Sequence, residues 1–180
     1  VQDAIAKRLR RLSPDCVGLL EAAAILGRGF PIAVVASMLD RPVVECLALV
    51  DEARAARLVE ADGDPGGYRF VHALGRDAIE QALGTADRVR LHRAAAGAIE
   101  QHHGAPFGPH VFELARHWAV AAVVGERARA AGWIRRAAEE AMRRLAYEEA
   151  ARLFRQTLDI GGLELDGEDR CTLLLAVGMA

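Results

Sequence analysis

The fold of the first half of the chain is decided by the stretch Leu58-Val59-Glu60-Ala61-Asp62-Gly63-Asp64-Pro65-Gly66-Gly67-Tyr68-Arg69-Phe70-Val71. Residues 58–61 and 67–71 are short apolar runs, and the second is rich in aromatic and β-branched side chains. Glycine, proline and aspartate fill the space between them, and these residue types favour tight turns. The stretch therefore predicts a β-hairpin.

Three helices are predicted before this hairpin. Ser13 supplies an N-cap and Pro14 a first-turn proline for a helix that ends at Gly27. A short helix over residues 32–39 follows, and Pro42 opens a third. Three helices followed by a hairpin is the element order of a winged helix.

The fold class predicted from these patterns is mainly α, in three segments. Residues 1–84 form a winged-helix domain with an amphipathic N-terminal linker helix. Residues 85–125 form a helical connector, and residues 126–180 begin an arm of tetratricopeptide-like helical hairpins. The arm is expected to be truncated and to continue past Ala180, because a solenoid repeat cannot bury its apolar face alone.

The arm is predicted from small and aromatic side chains at the spacing of a tetratricopeptide helix pair. These residues are Ala138, Tyr147, Ala150 and Phe154. Their spacing predicts helices over residues 127–145 and 147–160. A further helix is predicted to begin at Glu168, without a partner helix. That unpaired helix is expected to leave three apolar side chains partly uncovered. They are Leu173, Leu174 and Val177.

Composition restricts the chemistry that the chain can perform. Hydrophobic residues make up 52% of the 180 residues, and the formal net charge is −2, so nothing in the overall charge favours a polyanionic partner. Lys7 is the only lysine, and no glycine-rich loop precedes it. A P-loop of the G-x-x-x-x-G-K-[ST] kind is therefore absent, so we expect no nucleotide cofactor and no ATP hydrolysis by that mechanism in this chain.

Three widely spaced cysteines indicate reduced thiols packed as small apolar side chains, and hence a cytoplasmic protein. They are Cys16, Cys46 and Cys171. No apolar run is long enough to span a membrane, so no membrane partner is expected. The chain begins without a methionine or a signal-peptide pattern, which suggests a piece of a longer protein.

One group of side chains is a weak candidate for a metal site. His110, Glu113 and His117 lie at i, i+3 and i+7, so they can share one face of a helix. No fourth ligand or general base is placed nearby, and the sequence offers no activated serine or cysteine nucleophile. We therefore expect no metal and no enzymatic activity, and a metal-dependent enzyme remains the second alternative.

Charge argues against DNA binding by the predicted winged helix. A recognition helix and wing need cationic or amide side chains to meet phosphates and base edges. Acidic residues are prominent on the third helix and on the hairpin, and they would repel a duplex. They are Glu45, Asp51, Glu52, Glu60, Asp62 and Asp64, against Arg54 and Arg57. A free-standing winged-helix transcription factor that binds DNA is the first alternative.

Three stretches carry a family resemblance. They are Tyr68-Arg69-Phe70-Val71-His72-Ala73-Leu74-Gly75-Arg76-Asp77, Leu19-Leu20-Glu21-Ala22-Ala23-Ala24-Ile25-Leu26-Gly27-Arg28-Gly29-Phe30 and Leu114-Ala115-Arg116-His117-Trp118. Together they resemble the region downstream of the nucleotide-binding core in STAND-class signalling ATPases, including the ATP-binding LuxR-family transcriptional regulators. The resemblance extends over nearly the whole chain.

The resemblance implies a regulatory part of a cytoplasmic, ATP-dependent signal-transduction protein that controls transcription. The parent would bind ATP or ADP with magnesium in an upstream nucleotide-binding domain of the same chain, and an inducer or protein partner would bind the arm. His72, with Arg76 as a further candidate, would read the nucleotide phosphates. Relatives carry Met-His-Asp where this chain has Val71-His72-Ala73. The residues alone favour a different interpretation, in which His72 caps a helix and Arg76 and Asp77 are solvated surface charges.

Overall fold

The computed structural model describes residues 7–103, 110–162 and 167–179. It is mainly helical with one small sheet, as predicted. Contacts group the chain into two compact units, residues 1–98 and 99–180. The three-segment division predicted from the sequence places its boundaries elsewhere and stays a prediction.

The described part of the first unit starts with helical residues 7–9 and then alternates short helices with strands. Its elements are α1 (Pro14–Leu26), β1 (Gly29–Pro31), α2 (Ile32–Leu39), α3 (Val43–Ala55), β2 (Val59–Ala61), β3 (Gly67–Phe70) and α4 (Ala73–Ala82). Helix α5 (Thr85–His103) follows, and the boundary between the units falls within it. The three helices and the hairpin predicted from the sequence are confirmed to within a few residues.

The second unit is a series of helices. They are α6 (Val111–Ala121), a 3-10 turn (Ala122–Val124), α7 (Arg127–Arg143), α8 (Tyr147–Gly161) and α9 (Gly167–Met179). Helix α7 packs against both α6 and α8, and α9 packs against α8. The helices predicted over residues 127–145 and 147–160 are confirmed.

Helix α1 begins with a cap that also joins it to α3. The Ser13 hydroxyl accepts a hydrogen bond from the Cys16 backbone N–H at 3.2 Å, as the sequence predicts for an N-cap. The same hydroxyl donates to the Glu52 carboxylate at 2.7 Å, and the Ser13 backbone N–H donates to it at 2.6 Å. From the sequence, Glu52 was counted among the acids that would repel a duplex, and the structure shows its carboxylate bound to the start of α1.

The sheet contains a strand that the sequence analysis did not predict. Strand β1 pairs antiparallel with β3, and β3 pairs antiparallel with β2, in the order β1-β3-β2. The only large apolar residue of β1 is Phe30, which is paired with Tyr68. The centroids of the Phe30 and Phe70 rings are 5.7 Å apart. A segment with one apolar residue between glycine and proline gives no strand periodicity, so its pairing depends on β3.

Each unit has its own apolar core. In the first, α1 is buried along most of its length, and the sheet adds Phe30, Val59 and Phe70. In the second, the core includes Trp118, Ile134 and Phe154 from α6, α7 and α8.

The prediction that apolar side chains of α9 are partly uncovered is confirmed only in part. Leu173 was expected to be partly uncovered but is buried, because α9 packs on α8. Leu174 on the same helix is exposed as predicted. Among the described residues, no helix has the length and hydropathy needed to cross a lipid bilayer.

Candidate functional site

His72 lies where β3 ends and α4 begins, and its side chain is exposed. Its backbone carbonyl accepts hydrogen bonds from Gly75 at 2.9 Å and Arg76 at 3.4 Å, so the main chain starts the helix. The imidazole makes no capping hydrogen bond to α4. The His72 side chain therefore does not cap α4, in contrast to the interpretation in which His72 is a helix cap.

A small cleft brings His72 together with two arginines that are distant in sequence. Arg8 and Arg57 line it, with Leu58 and Phe70 among its apolar neighbours. Arg8 Nη1 donates to the backbone carbonyl of Arg57 at 3.4 Å. Arg8, Arg57 and His72 therefore line the same small cleft of the first unit, and each has a side chain that can donate a hydrogen bond.

The turn after α3 positions Arg57 at this cleft. Arg57 has a left-handed backbone, with φ of 57°, which is uncommon for a residue other than glycine. Its N–H donates to the Arg54 carbonyl at 2.9 Å, and the next N–H, from Leu58, donates to the Ala53 carbonyl at 3.0 Å. These two bonds end the helix and direct the chain into β2. In the sequence, Arg57 is only one more charge at the end of the third helix, and no local pattern connects it with His72.

Arg76, the second predicted phosphate reader, is bound within the first unit. Its Nε donates to the Ala24 carbonyl on α1 at 2.9 Å. Its two other nitrogens pair with Asp77 at 2.9 Å and Glu80 at 2.6 Å, and its side chain is only 21% exposed. Arg76 is therefore a link between α4 and α1 rather than the solvated surface charge of the structural interpretation.

The weak metal candidates share a helix face as their spacing predicts. His110 Nδ1 lies 3.3 Å from one oxygen of Glu113, and His117 Nε2 lies 3.9 Å from the other. His117 is fully buried, and its Nε2 also lies 3.0 Å from the Arg116 guanidinium. In the part of the chain that the structure describes, no group of three or more His, Cys, Asp or Glu residues could hold a metal ion.

The environment of Glu113 favours its charged form. Burial by itself raises the pKa of this carboxyl. Hydrogen bonds to His117 and His110, together with the charge of those rings, outweigh burial and leave the pKa below its usual range.

A second histidine contact extends the cluster to the end of α5. The His103 and His110 rings stack with centroids 3.9 Å apart. Burial lowers the pKa of His103, and the charges of His110 and His102 lower it further against the opposing effect of Glu113. Nothing in the local sequence pattern connects His103 with His110.

A carboxylate that the sequence patterns do not single out, that of Glu100, contacts two tryptophans and an arginine of the second unit. Glu100 Oε1 accepts hydrogen bonds from the indole nitrogens of Trp118 at 2.7 Å and Trp133 at 2.6 Å. Its other oxygen pairs with Arg129, whose guanidinium lies 4.4 Å above the Trp118 ring. One side chain from α5 thereby connects α6 and α7.

The cysteines divide into two buried residues and one exposed residue. Burial, with the charge of Glu52, raises the pKa of Cys16 to about 12, and burial also raises the pKa of Cys46. Both thiols are packed, as predicted. Cys171 is exposed, so the expectation that all three are packed among apolar neighbours is wrong for this residue.

The acidic hairpin is partly neutralised by its own strand. Arg69 on β3 pairs with Glu60 at 2.8 Å and with Asp62 at 3.3 Å. All three side chains are partly exposed, so these pairs add little stability but reduce the negative field of the hairpin.

No protein-family model, curated protein or solved structure matches the chain. The function must therefore be argued from the sites themselves.

Proposed function

We propose that the chain is the regulatory part of an ATP-dependent signalling protein of the STAND class. In this proposal His72 contacts the bound nucleotide, and the helical arm binds a partner. One observation carries the proposal: an exposed imidazole without a capping role lies beside Arg8 and Arg57 at the end of the hairpin. Guanidinium groups and imidazole N–H groups can donate hydrogen bonds to phosphate oxygens.

The topology of the first unit supports a winged-helix assignment. A strand between the first two helices pairs with the second strand of the hairpin, giving the order β1-β3-β2. A winged helix has this arrangement of three helices and a three-stranded sheet. His72 then lies directly after the wing, at the junction where a neighbouring domain of the same chain could contact it.

The surface of α3 favours a partner other than DNA. Val43, Val44 and Leu47 are exposed at its start, where a recognition helix carries polar side chains for base edges. The charged residues of α3 are mainly acidic, with Glu45, Asp51 and Glu52 against Arg54, which pairs with Asp51 at 3.1 Å. Duplex binding by this unit would lack the excess of phosphate contacts that dominates such affinities.

The second unit supports a repeat arm. Helices α7 and α8 form an antiparallel pair around Ala138, Ala150 and Phe154, all of which are buried. Leu145 turns the chain between them with φ of 59°. Helical repeats of this kind bind other molecules on their extended surfaces.

In this mechanism the protein has two states that differ in whether an upstream nucleotide-binding domain is closed on the first unit. ATP or ADP with magnesium would be held by that domain, and His72 would contact a phosphate in one state only. A contact made in only one state shifts the population toward that state by its free energy. Binding of an inducer or protein to the arm would shift the same equilibrium, and the parent would then change transcription in the cytoplasm.

The test compares wild-type full-length protein with His72→Ala and with His102→Ala, a matched control at an exposed histidine outside the cleft. Loss of a coupling contact of about 1–3 kcal/mol predicts ADP release faster by roughly fivefold or more, with raised output in the absence of inducer. His102→Ala should leave both unchanged. Unaltered ADP retention and output in His72→Ala would show that His72 does not sense nucleotide.

A further inference from the structure

The guanidinium of Arg57 is not used by the fold of the first unit. The side chain is exposed, and the hydrogen bonds of this residue come from its backbone, which donates to the Arg54 carbonyl at 2.9 Å and accepts from Arg8 at 3.4 Å. Within the described residues, no carboxylate or aromatic ring pairs with the guanidinium. Other arginines of this unit do pair with carboxylates, namely Arg41, Arg54, Arg69, Arg76 and Arg90. The charge of Arg57 is therefore open to a ligand.

The turn at Arg57 does not itself need an arginine. Arg57 follows α3 with a left-handed backbone, a conformation that glycine adopts most readily. Helices α2 and α7 end in turns of the same kind, at Asp40 with φ of 51° and at Leu145 with φ of 59°. Three different side chains thus serve the same type of turn. The turn fixes where the Arg57 side chain begins, but it does not explain why that side chain is a guanidinium.

The surroundings of Arg57 favour an anionic ligand. Among the described residues that line the cleft shared by Arg57, Arg8 and His72, none carries a carboxylate. The cleft holds little more than one water molecule, so a ligand would lie over its mouth, where the Arg57 and His72 side chains are both exposed. A guanidinium has only donors, and its planar fork matches two oxygens of a phosphate group.

We propose that Arg57 binds a phosphate group of the nucleotide together with His72, and that Arg76 does not. Arg76 already donates to the Ala24 carbonyl and pairs with two carboxylates of α4, so binding a phosphate would break these contacts. Arg57 can bind one without losing any side-chain contact. The proposal rests on the function proposed above and adds a specific arginine to the same site.

The first test titrates the 180-residue chain with inorganic pyrophosphate and follows the backbone amides by NMR. Saturable shifts are expected at residues 57 and 72. Arg57→Gln should weaken pyrophosphate binding roughly fivefold or more. Arg54→Gln removes the same charge three residues earlier and should leave the affinity within about twofold, because it changes only the long-range field. No saturable binding, or equal weakening by the two variants, would overturn the proposal.

Two further variants separate phosphate binding from folding. Arg57→Gly keeps the left-handed turn, so its melting temperature by circular dichroism should be at least that of wild type, while pyrophosphate binding should weaken as in Arg57→Gln. Arg57→Lys keeps the charge without the planar fork and should recover only part of the affinity. A lower melting temperature of Arg57→Gly would show that the arginine serves the fold instead of a ligand.

ADP release from the full-length protein distinguishes a failure of Arg57 from a failure of His72. Arg57→Gln should release ADP faster by roughly fivefold, and the double variant with His72→Ala should gain less than the product of the two single effects, because both side chains contact one phosphate. Faster release in His72→Ala alone would overturn the role of Arg57 and leave the proposed function standing. Faster release in Arg57→Gln alone would instead remove His72 as the sensor. Effects that multiply would place the two side chains at separate sites and overturn their shared phosphate.

Discussion

The two units use their polar side chains in different ways. In the first, polar side chains join the ends of helices, as where Glu52 binds the start of α1 and Arg76 binds the Ala24 carbonyl. In the second, charged and polar groups lie among the packed helices, as with Glu100 between two tryptophans and His117 beside Glu113. The stability of the second unit should therefore depend more on the integrity and protonation of a few interior groups.

The largest loss of stability is expected from Glu100→Ala. This change leaves the indole N–H groups of Trp118 and Trp133 without their acceptor and Arg129 without its carboxylate. Loss of buried hydrogen-bond partners predicts a decrease of about 2–4 kcal/mol in the free energy of unfolding. Urea unfolding monitored by tryptophan fluorescence measures it in the second unit alone, because both tryptophans lie there.

Two further variants sharpen this result. Glu100→Gln keeps an acceptor for the indoles and should cost about half as much. Glu148→Ala removes an exposed carboxylate of α8 and should change stability by less than about 0.5 kcal/mol. A comparable loss in Glu148→Ala and Glu100→Ala would contradict the interior role of Glu100.

In the first unit, Glu52→Ala should cost about 1–2 kcal/mol, because it removes two hydrogen bonds that join α1 to α3. Asp51→Ala is the matched control. It removes only an exposed pair with Arg54 and should cost less than about 0.5 kcal/mol. Hydrogen exchange of the α1 amides resolves the effect, and equal protection in the two variants would mean that the cap is not a structural link.

Acid should destabilise the second unit first. The pKa of His103 is lowered by folding, so the unfolded chain binds its proton more readily, and stability falls as the pH decreases through the usual histidine range. Glu113 adds a further loss at lower pH, because its folded pKa is depressed and its contribution disappears as the carboxylate is protonated. Tryptophan-detected urea midpoints from pH 7 to pH 4 measure this loss.

His103→Asn provides the control for that pH dependence. It should flatten the decline above about pH 5.5, where histidine titrates, while leaving the later loss from Glu113 in place. An unchanged curve would show that the stacked His103 and His110 rings do not set the acid sensitivity.

In the first unit, ionisation of Glu21 should have a small effect on stability, with a pH dependence opposite in sign to that of the second unit. Burial raises the pKa of this carboxyl, Asp87 raises it further, and Arg90 opposes both. A raised folded pKa penalises the native state above that pKa, and the penalty is relieved as the pH falls. Glu21→Gln should therefore stabilise the first unit slightly at pH 7, with a gain that disappears toward pH 4, as measured by hydrogen exchange of α1 referenced to wild type at each pH.

Local patterns in the sequence determined most of the secondary structure. The Ser13-Pro14 start of α1, the turn between β2 and β3 and the α7–α8 pair each depend on neighbouring residues, so capping, turn and periodicity rules locate them. The sequence also places His72 at a strand–helix junction, because the apolar run ends there and a charged helix begins.

Only the tertiary structure decided which distant groups meet. Strand β1 forms through pairing with β3, and Arg8 and Arg57 reach His72 through the packing of separate elements. Glu100 reads as an exposed helical residue in the sequence, yet it binds two indoles from other helices. Spacing along one segment fixes the face that a side chain occupies, but hydrogen bonds across segments depend on how those faces pack, which no local pattern records.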